Sequence, residues 1–600
     1  MTLREAPPAS DIDVEKDSVR MEPIHGLYGP ADPEAAVKTT LDASYGSAGA
    51  DAESDQVPGV KRTLKARHLS FIALGGTLGT GIFVGSGSAL ATGGAAGIFL
   101  GYTIMGAIVY SMMIALGEMT TLYPVNGAFV HYASRFIDPS VGFALGWNYW
   151  YSWAVTIPTE IIAAALVLDY WPGAARVNVA VWITLWLVVI CSFNFIGVRS
   201  FGEAEFWFSL IKILAILGLI IVALIITAGG VPGSDPNEYP IGFRYWRSEP
   251  FKQLNGIPGA LGRFLRCASL DLSQRVRFGA DNLDVCYGSF SFWTVFIQAA
   301  FSFLGTEIVA LTAAEAENPR RNVPKAIKRV FARIVFFYVV GVLMMSLIVS
   351  PSDPRLINGG DDASASPWVI GIERAGIKVL PSIINAVILV AAFSAGNSDL
   401  YAASRTLYGL ACDGQAPKIF AKCTKNGLPL PALIMTSLIG LLAYMNCGTS
   451  SATAFNYLVN LSSVTGIINW LVILLSYLRF YYGCKRQGID RRDFPYRAPL
   501  QPWASWFGTI MLTLIIIFSN YQVFLADSWD TASFITAYIV IPVFFIMLFG
   551  WKLLKKTTFV RLDDMDFDSG KRQLDDMEEE ERARYKPPTT WYEKLWACLV

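Results

Sequence analysis

Long apolar segments separated by short polar ones recur along most of the chain. Between about residue 69 and residue 554 they reach the roughly 20 apolar residues that a helix needs to cross a bilayer core. The pattern predicts twelve membrane-spanning helices, spans 1 to 12, at residues 69–92, 97–122, 141–168, 177–197, 203–228, 290–313, 331–350, 379–403, 432–447, 454–478, 504–526 and 531–554. The expected fold class is an all-α integral membrane protein.

Two spans are interrupted by glycine. Residues 75–81 (GGTLGTG) lie in span 1, and residues 301–307 (FSFLGTE) lie in span 6. A carboxylate such as Glu307 costs roughly 2.5–3.5 kcal/mol near the bilayer centre, so it usually marks a polar pathway. Broken helices at matching places in two halves are typical of secondary transporters with a site near the midplane. The simpler alternative is that these glycines only allow helices to pack closely.

Lysine and arginine are concentrated in the segments that precede span 1 and follow spans 6, 8, 10 and 12. These clusters lie at residues 61–67, 320–333, 405–425, 479–497 and 552–556. Because cytoplasmic loops carry the excess of positive charge, the pattern predicts a multi-pass protein with both termini cytosolic. The transmembrane domain is predicted at residues 61–556.

The two ends of the chain differ from this domain. Residues 1–60 are rich in Pro, Ala, Gly, Ser and Asp and predict a disordered cytosolic tail. In that tail, Lys16 and Lys38 would be accessible to ubiquitin ligase machinery. Residues 557–600 predict an acidic cytosolic tail. Its aromatic end could lie on membrane lipids, which makes Cys598 a lipidation candidate.

The long loop between spans 5 and 6 departs from the charge pattern. Residues 266–291 lack clear periodicity and contain several arginines. One hypothesis is an insertion or a gene-model artefact without a transport role. The alternative is a real outer loop closed by a Cys267–Cys286 disulfide.

Composition excludes several other classes of protein. Apolar residues make up 53% of the chain and charged residues 16%, and the net charge of +0 gives no reason to expect a nucleic-acid partner. The eight cysteines include no CxxC pair, and the three histidines share no metal-ligand spacing, so neither a metal nor a cofactor is expected. The sequence contains no HExxH, GxSxG or Walker-type motif, and an enzyme is not predicted.

Several motifs occur in one order along residues 60–560. They are 75–85 (GGTLGTGIFVG), 117–119 (GEM), 123–124 (YP), 194–198 (NFIGV), 202–207 (GEAEFW), 301–307 (FSFLGTE), 318–320 (NPR), 324–326 (PKA), 394–398 (SAGNS), 404–405 (SR) and 416–418 (APK). In these motifs the chain resembles the fungal amino-acid permeases, the yeast amino acid transporter family of the amino acid–polyamine–organocation superfamily.

This resemblance implies a leucine-transporter-type fold, in which spans 1–5 and 6–10 form an inverted repeat, spans 1 and 6 are discontinuous, and two helices are accessory. It also implies import of amino acids across the plasma membrane by proton symport with alternating access. Two alternatives remain open: an amino-acid sensor on the same fold, and a transporter of another amine such as a polyamine.

The breaks supply candidate substrate-binding groups. Backbone N–H groups near Gly79, Thr80 and Gly81 could bind a substrate carboxylate, helped by the helix dipole beyond the break. Groups in span 6 could bind the ammonium. They are the carbonyls near Ser302, Phe303 and Leu304, the flexible Gly305, the Phe303 ring and the Glu307 carboxylate.

Proton-coupling candidates lie in spans 3, 5 and 8. Lys212 is about 13 Å into span 5, and Ser394 lies at a similar depth in span 8. The resemblance implies that a lysine here takes the place of a sodium ion between spans 1, 5 and 8. The alternative for Lys212 is a purely structural brace. Glu160 in span 3 is the third candidate, and its alternative is a carboxylate hydrated near the outer interface.

A last group of charges lies near the predicted cytosolic ends of the spans. Glu118 is predicted to organise a cytosolic gate. Arg320, Arg333 and Arg405 are interpreted as gate or topology charges and are not assigned to the substrate.

Overall fold

The computed structural model describes residues 78–124, 127–196, 198–231, 240–251, 291–308, 310, 319–357, 366–424, 427–448, 451–518, 520–524 and 529–568. Every regular element in these ranges is helical. The predictions for Lys16, Lys38, Cys598 and residues 266–291, including the Cys267–Cys286 pair, lie outside the described residues.

The described helices are numbered here in chain order. They are α1 (a π-helical turn Gly81–Gly85 running into Ser86–Leu122), α2 (Ala128–Phe136), α3 (Pro139–Leu168), α4 (Val179–Ile196), α5 (Val198–Thr227), α6 (Arg244–Ser248), α7 (Ser291–Phe303), α8 (Pro319–Arg333), α9 (a π-helical turn Ile334–Val340 running into Gly341–Ile348), α10 (Pro354–Ile357), α11 (Pro367–Arg374), α12 (Leu380–Cys412), α13 (Leu430–Ile439, continued by the 3-10 helix Gly440–Cys447), α14 (Ser451–Arg486), α15 (Trp503–Phe518), α16 (Thr531–Tyr538) and α17 (Val540–Lys555).

Each of the twelve predicted spans coincides with a helix or part of a helix in the described residues. Seven of these helices are long and apolar enough to cross a membrane, and an eighth span is the pair α16 and α17, bent by 41°. Three shorter apolar helices lie in spans 4, 6 and 11. Helix α1 contains the second part of span 1 and all of span 2. The two spans meet at a kink at Gly94, whose φ is 79°. The protein is therefore an all-α, multi-pass membrane protein.

Span 3 forms the centre of the helix packing. Spans 8 and 10 pack along it, while span 6 packs along α1. The apolar window of span 3 is 89% buried, whereas that of span 5 is only 33% buried. Large apolar side chains of span 5, including Trp207, Leu214 and Ile221, face outward. Such a surface suits lipid, so span 5 lies at the periphery with one polar face turned inward.

The residues directly after the last helix pack against the helical domain. We call residues 557–568 the C-terminal strap. The Val560 N–H donates to the carbonyl of Ile137 (2.9 Å), and the Tyr123 hydroxyl donates to the carbonyl of Phe567 (2.7 Å). The Phe567 ring stacks on Phe136 at 5.9 Å. The first part of the predicted acidic tail is therefore bound to the residue that follows α1, to α2 and to the connection after α2.

Candidate functional site

The break in span 1 ends where α1 begins. Leu78 and Gly79 are not helical, and helical geometry starts at Thr80. The buried Thr80 hydroxyl donates a 3.0 Å hydrogen bond to Oε1 of Glu160 in span 3. Because a helix start leaves its first N–H groups without intrahelical partners, this end of α1 offers donors to a ligand. The side chain of Glu160 is 3% exposed, so it lies in the protein interior and not at a hydrated interface.

Two glycines of this break allow close contacts with other spans. A Cβ atom on Gly81 would lie 2.6 Å from the Cα atom of Ser302 in span 6. A Cβ atom on Gly79 would lie 3.1 Å from Oε1 of Glu160. The two interrupted spans therefore touch at Gly81. Close packing explains the need for glycine at position 81, and the same contact brings the two breaks together.

The break in span 6 follows directly after α7. The helix ends at Phe303, and the chain turns through Leu304 to Glu307, with Gly305 at φ 86°, a conformation that favours glycine. The buried carboxylate of Glu307 accepts a 3.1 Å hydrogen bond from the Trp470 indole of span 10. Leu304 packs toward Gly466, also in span 10. Span 10 thus packs against the turn.

Aromatic side chains cover the start of this turn. The fully buried Phe303 ring stacks on Tyr338 of span 7 at 4.2 Å. The Tyr102 and Ser302 hydroxyls are hydrogen-bonded at 2.8 Å, and the Ser302 hydroxyl also donates to the carbonyl of Gln298 (3.0 Å). In this arrangement Phe303 is part of an aromatic layer between spans 2, 6 and 7.

Lys212 and Ser394 are in direct contact. The Lys212 ammonium donates to the Ser394 hydroxyl at 2.9 Å and lies 3.5 Å from Oε1 of Glu205. The Ser394 hydroxyl donates to Oε2 of Glu205 at 2.7 Å. All three side chains are fully buried. Glu205 received no role from the sequence, although it precedes Lys212 by two helical turns and so shares its face.

A further buried carboxylate belongs to Asp399 in span 8. It interacts electrostatically with Glu160, Glu205 and Lys212. The sequence interpretation missed Asp399, although an ionisable residue inside an apolar span is by itself a functional signal. Among the described residues, three carboxylates and one ammonium therefore share the region between spans 3, 5 and 8.

Glu118 lies in a separate and fully bonded network. Its two carboxylate oxygens accept hydrogen bonds from the Arg491 guanidinium (2.6 and 2.7 Å), the Tyr477 hydroxyl (2.7 Å) and the Ala498 N–H (2.8 Å). We call this the Glu118 clamp. It joins span 2 to span 10 and to the connection between spans 10 and 11.

The three arginines predicted as gate or topology charges differ in their surroundings. Arg333 is 2% exposed, and its guanidinium nitrogens have no hydrogen-bond partner among the described residues, although it interacts electrostatically with Glu307 and Tyr338. Arg405 stacks over the Tyr401 ring at 3.6 Å. Arg320 lies on α8, and its side chain is outside the described part. Arg333 is thus close to the span 6 break, and not at an exposed helix end.

Comparison with known proteins identifies the chain at the level of family. The family model "Amino acid permease" matches residues 68–563. The dicarboxylic amino acid permease of Saccharomyces cerevisiae is 43% identical over 535 residues, which cover 88% of this chain and 83% of that protein. The lysine-specific permease LysP of Escherichia coli is 39% identical over 522 residues, with 86% and 98% covered.

A further permease and one solved transporter structure are also similar to the chain. The proline-specific permease of Emericella nidulans is 37% identical over 553 residues, covering 91% of this chain and 94% of that protein. Among solved structures, the nucleobase-cation-symport-1 family transporter Mhp1 aligns with 81% of this chain and 99% of its own, at 14% identity and a TM-score of 0.43. On the extent of the family model and of these permease sequences, the chain belongs to the amino acid permease family and is a multi-pass amino acid transporter.

Proposed function

We propose that this permease imports amino acids by proton symport with alternating access, in the plasma membrane, with both termini cytosolic. The observation that carries the proposal is the Lys212 ammonium, fully buried between Ser394 and Glu205. A buried ionisable cluster in a membrane interior is costly and is typical of ion and proton pathways. The cluster adjoins the span 1 break, because Glu160 joins it electrostatically to Thr80.

The substrate would bind at the two breaks. The first N–H groups of α1, at Thr80 and Gly81, suit a carboxylate because the helix dipole is positive at that end. On span 6, carbonyls near Ser302 and Leu304 suit the ammonium, with Glu307 adding a negative charge. Gly79 and Gly305 give the backbone the freedom that this geometry needs.

Coupling would follow from the shared contact between Glu160 and the span 1 break. When α1 moves relative to spans 3, 5 and 8, the hydrogen bond from Thr80 to Glu160 changes, and so does the hydration of the neighbouring Lys212 pair. Proton binding and substrate binding would then favour the same conformation. Glu118 is proposed to organise the cytosolic gate as a rigid support, and Arg320, Arg333 and Arg405 are proposed gate or topology charges.

The available driving force is sufficient for accumulation. One charge moved through 100 mV contributes about 2.3 kcal/mol, and one pH unit contributes about 1.4 kcal/mol. At about 1.4 kcal/mol per tenfold change, one proton supports a gradient of several hundredfold.

The test is radiolabelled uptake of the standard amino acids in a transport-deficient fungal host at acidic pH, with and without a protonophore. The panel includes glutamate, lysine and proline, the kinds of substrate named for the relatives. Uptake of at least one amino acid is expected, and the protonophore should abolish accumulation. No uptake despite surface expression would favour the sensor or another amine as substrate.

The Lys212→Met variant separates coupling from bracing. We expect it to lose accumulation while it still exchanges internal for external amino acid, since exchange needs no net proton movement. The matched control is Lys378→Met, which removes an exposed lysine. If Lys212→Met instead keeps accumulation and loses only thermal stability, Lys212 is a structural brace.

A further inference from the structure

Asp399 lies in span 8, about 6 Å before the predicted cytosolic end of the span at residue 403. Its helix runs from Leu380 to Cys412, which places it about 28 Å from the start and about 20 Å from the end at about 1.5 Å per residue. The side chain is 3% exposed. Its Oδ2 atom has no hydrogen-bond partner among the described residues. The side chains packed around Asp399, and not its distance from the ends of the helix, therefore keep water from this carboxylate.

The charges around Asp399 do not balance when all groups are ionised. The Lys212 ammonium and the Glu205 carboxylate form a compensated pair, bridged by Ser394. Glu160 and Asp399 remain, and the described residues that face them supply no second cation. An uncompensated buried charge costs several kcal/mol, which a carboxylate avoids by binding a proton. Two carboxylates in this region are therefore suited to hold protons.

The groups that face Asp399 come from two neighbouring spans. Span 3 contributes Glu160 and Tyr149, and span 5 contributes Glu205 and Lys212. Tyr149 is buried and interacts electrostatically with both Asp399 and Glu307. Tyr149 is thus linked electrostatically both to the span 8 carboxylate and to Glu307 at the span 6 break.

Glu160 and Asp399 both lie close to the start of α1, the element that is proposed to move. Glu160 is bonded to Thr80 at the start of α1, and Gly396, one turn before Asp399, packs against the Glu160 side chain. A displacement of α1 therefore changes the environment of both carboxylates together. Two carboxylates whose environments change with the same movement of α1 can bind and release their protons in the same conformational step.

We propose that Asp399 binds a second transported proton, so that each amino acid enters with two protons. This inference rests on the proposed proton symport. It concerns the proton count and assigns Asp399 no contact with the amino acid.

The experiment measures the proton-to-substrate ratio in proteoliposomes containing the purified full-length protein. The membrane potential is clamped at zero with potassium and valinomycin, and a known pH gradient is imposed. The probe is the radiolabelled amino acid with the highest uptake in the panel. The ratio is read from the substrate gradient at which net flux stops. Two protons predict about a hundredfold substrate gradient per pH unit, and one proton predicts about tenfold.

The variants are Asp399→Asn and Asp399→Glu. Asn keeps the size of the side chain but cannot release a proton, so we expect the balancing gradient to fall from about a hundredfold to about tenfold per pH unit. Glu keeps the titrating group and should retain the wild-type gradient. Amino acid exchange at equal pH on both sides should persist in both variants, which shows that they are folded and bind substrate.

Each outcome separates this inference from the symport itself. If the wild type balances at about a hundredfold and Asp399→Asn does not differ from it, Asp399 carries no transported proton. A wild type that already balances at about tenfold also overturns the second proton while leaving symport intact. If the wild type establishes no gradient, the proton symport fails. An Asp399→Asn protein that is monodisperse but exchanges no amino acid would make Asp399 a binding residue, which contradicts the inference.

Discussion

Two buried groups of charged residues in this permease differ in how completely they are hydrogen-bonded. In the Glu118 clamp, both carboxylate oxygens are occupied, and the bidentate Arg491 neutralises the charge. Between spans 3, 5 and 8, one oxygen of Glu160 and one oxygen of Asp399 have no partner among the described residues. The carboxylates of both groups are buried, with Glu118 0% exposed and Glu160 and Asp399 each 3% exposed. Burial alone therefore does not distinguish a structural group from a functional one.

The difference lies in the unused bonding capacity. A fully bonded buried charge holds its neighbours in one arrangement, since any movement breaks several strong hydrogen bonds. A buried charge with an unpaired oxygen carries a free-energy cost, which binding of a proton or a ligand can remove. The clamp therefore holds spans 2 and 10 in a fixed arrangement, whereas the cluster between spans 3, 5 and 8 can still bind a proton or a ligand.

The largest expected effect is on the clamp. Glu118→Ala leaves the Arg491 guanidinium partly buried without its carboxylate, so we expect the free energy of unfolding to fall by about 3–5 kcal/mol. The measurement is thermal unfolding of the detergent-purified protein. The control is Glu373→Ala, which removes a partly exposed ion pair with Arg355 and should cost about 0–1 kcal/mol. Equal losses in the two variants would contradict the distinction.

The contact between the two breaks is the next largest. Gly81→Ala places a methyl group against the Ser302 backbone, and overpacking of this kind costs about 1–3 kcal/mol. We expect the initial rate of amino acid uptake to fall about tenfold or more at equal surface expression. Gly409→Ala in α12 is the matched control, because its added methyl group meets nothing within 4 Å. Uptake that is equally reduced by both substitutions would argue against a specific contact at Gly81.

A smaller effect is expected at Asp138, which caps span 3. Burial acts to raise the pKa of Asp138, but hydrogen bonds from Lys552, Ser140 and Thr557 outweigh it and hold the pKa below its usual value of 3.8. A lowered pKa stabilises the fold above the unfolded-state pKa, and this stability is lost as pH falls through the folded-state value. Asp138→Asn should therefore cost about 1 kcal/mol at neutral pH and weaken the acid dependence below about pH 4.

Unfolding as a function of pH tests this prediction. Asp530→Asn is the comparison, since Asp530 caps the exposed start of α16 and accepts hydrogen bonds from the Ala532 and Ser533 N–H groups. If the pH profile of Asp138→Asn coincides with that of the wild type, the Lys552 contact contributes nothing to stability.

The smallest effect on stability is expected at Arg333. Its guanidinium has no hydrogen-bond partner among the described residues, so Arg333→Met breaks none there and should change the free energy of unfolding by less than about 1 kcal/mol. Uptake should nevertheless be lost, and Arg333→Lys should retain part of it. A loss of stability as large as that of Glu118→Ala would place Arg333 with the scaffold and not with the transport machinery.

The sequence predicted the spans and their breaks because apolar length and glycine runs are local properties. It also placed Lys212 and Ser394 at equal depth, since helical rise converts residue number into distance. It did not predict that Glu205 would complete the pair or that Asp399 would join the cluster. The packing of Phe303 on Tyr338 depends on how spans 6 and 7 meet, which no local pattern specifies. The roles of Lys212, Ser394 and Glu160 in coupling stay predictions.

The C-terminal strap has a practical consequence for where this protein can be cut or joined to another. A reporter attached after Lys556 would displace Phe567 from Phe136 and remove the acceptor of the Tyr123 hydroxyl. One attached after Asp568 would leave both contacts in place. The end of the last membrane helix is therefore not the end of the packed part of the chain. An expression screen guided by hydropathy alone would truncate inside the folded protein.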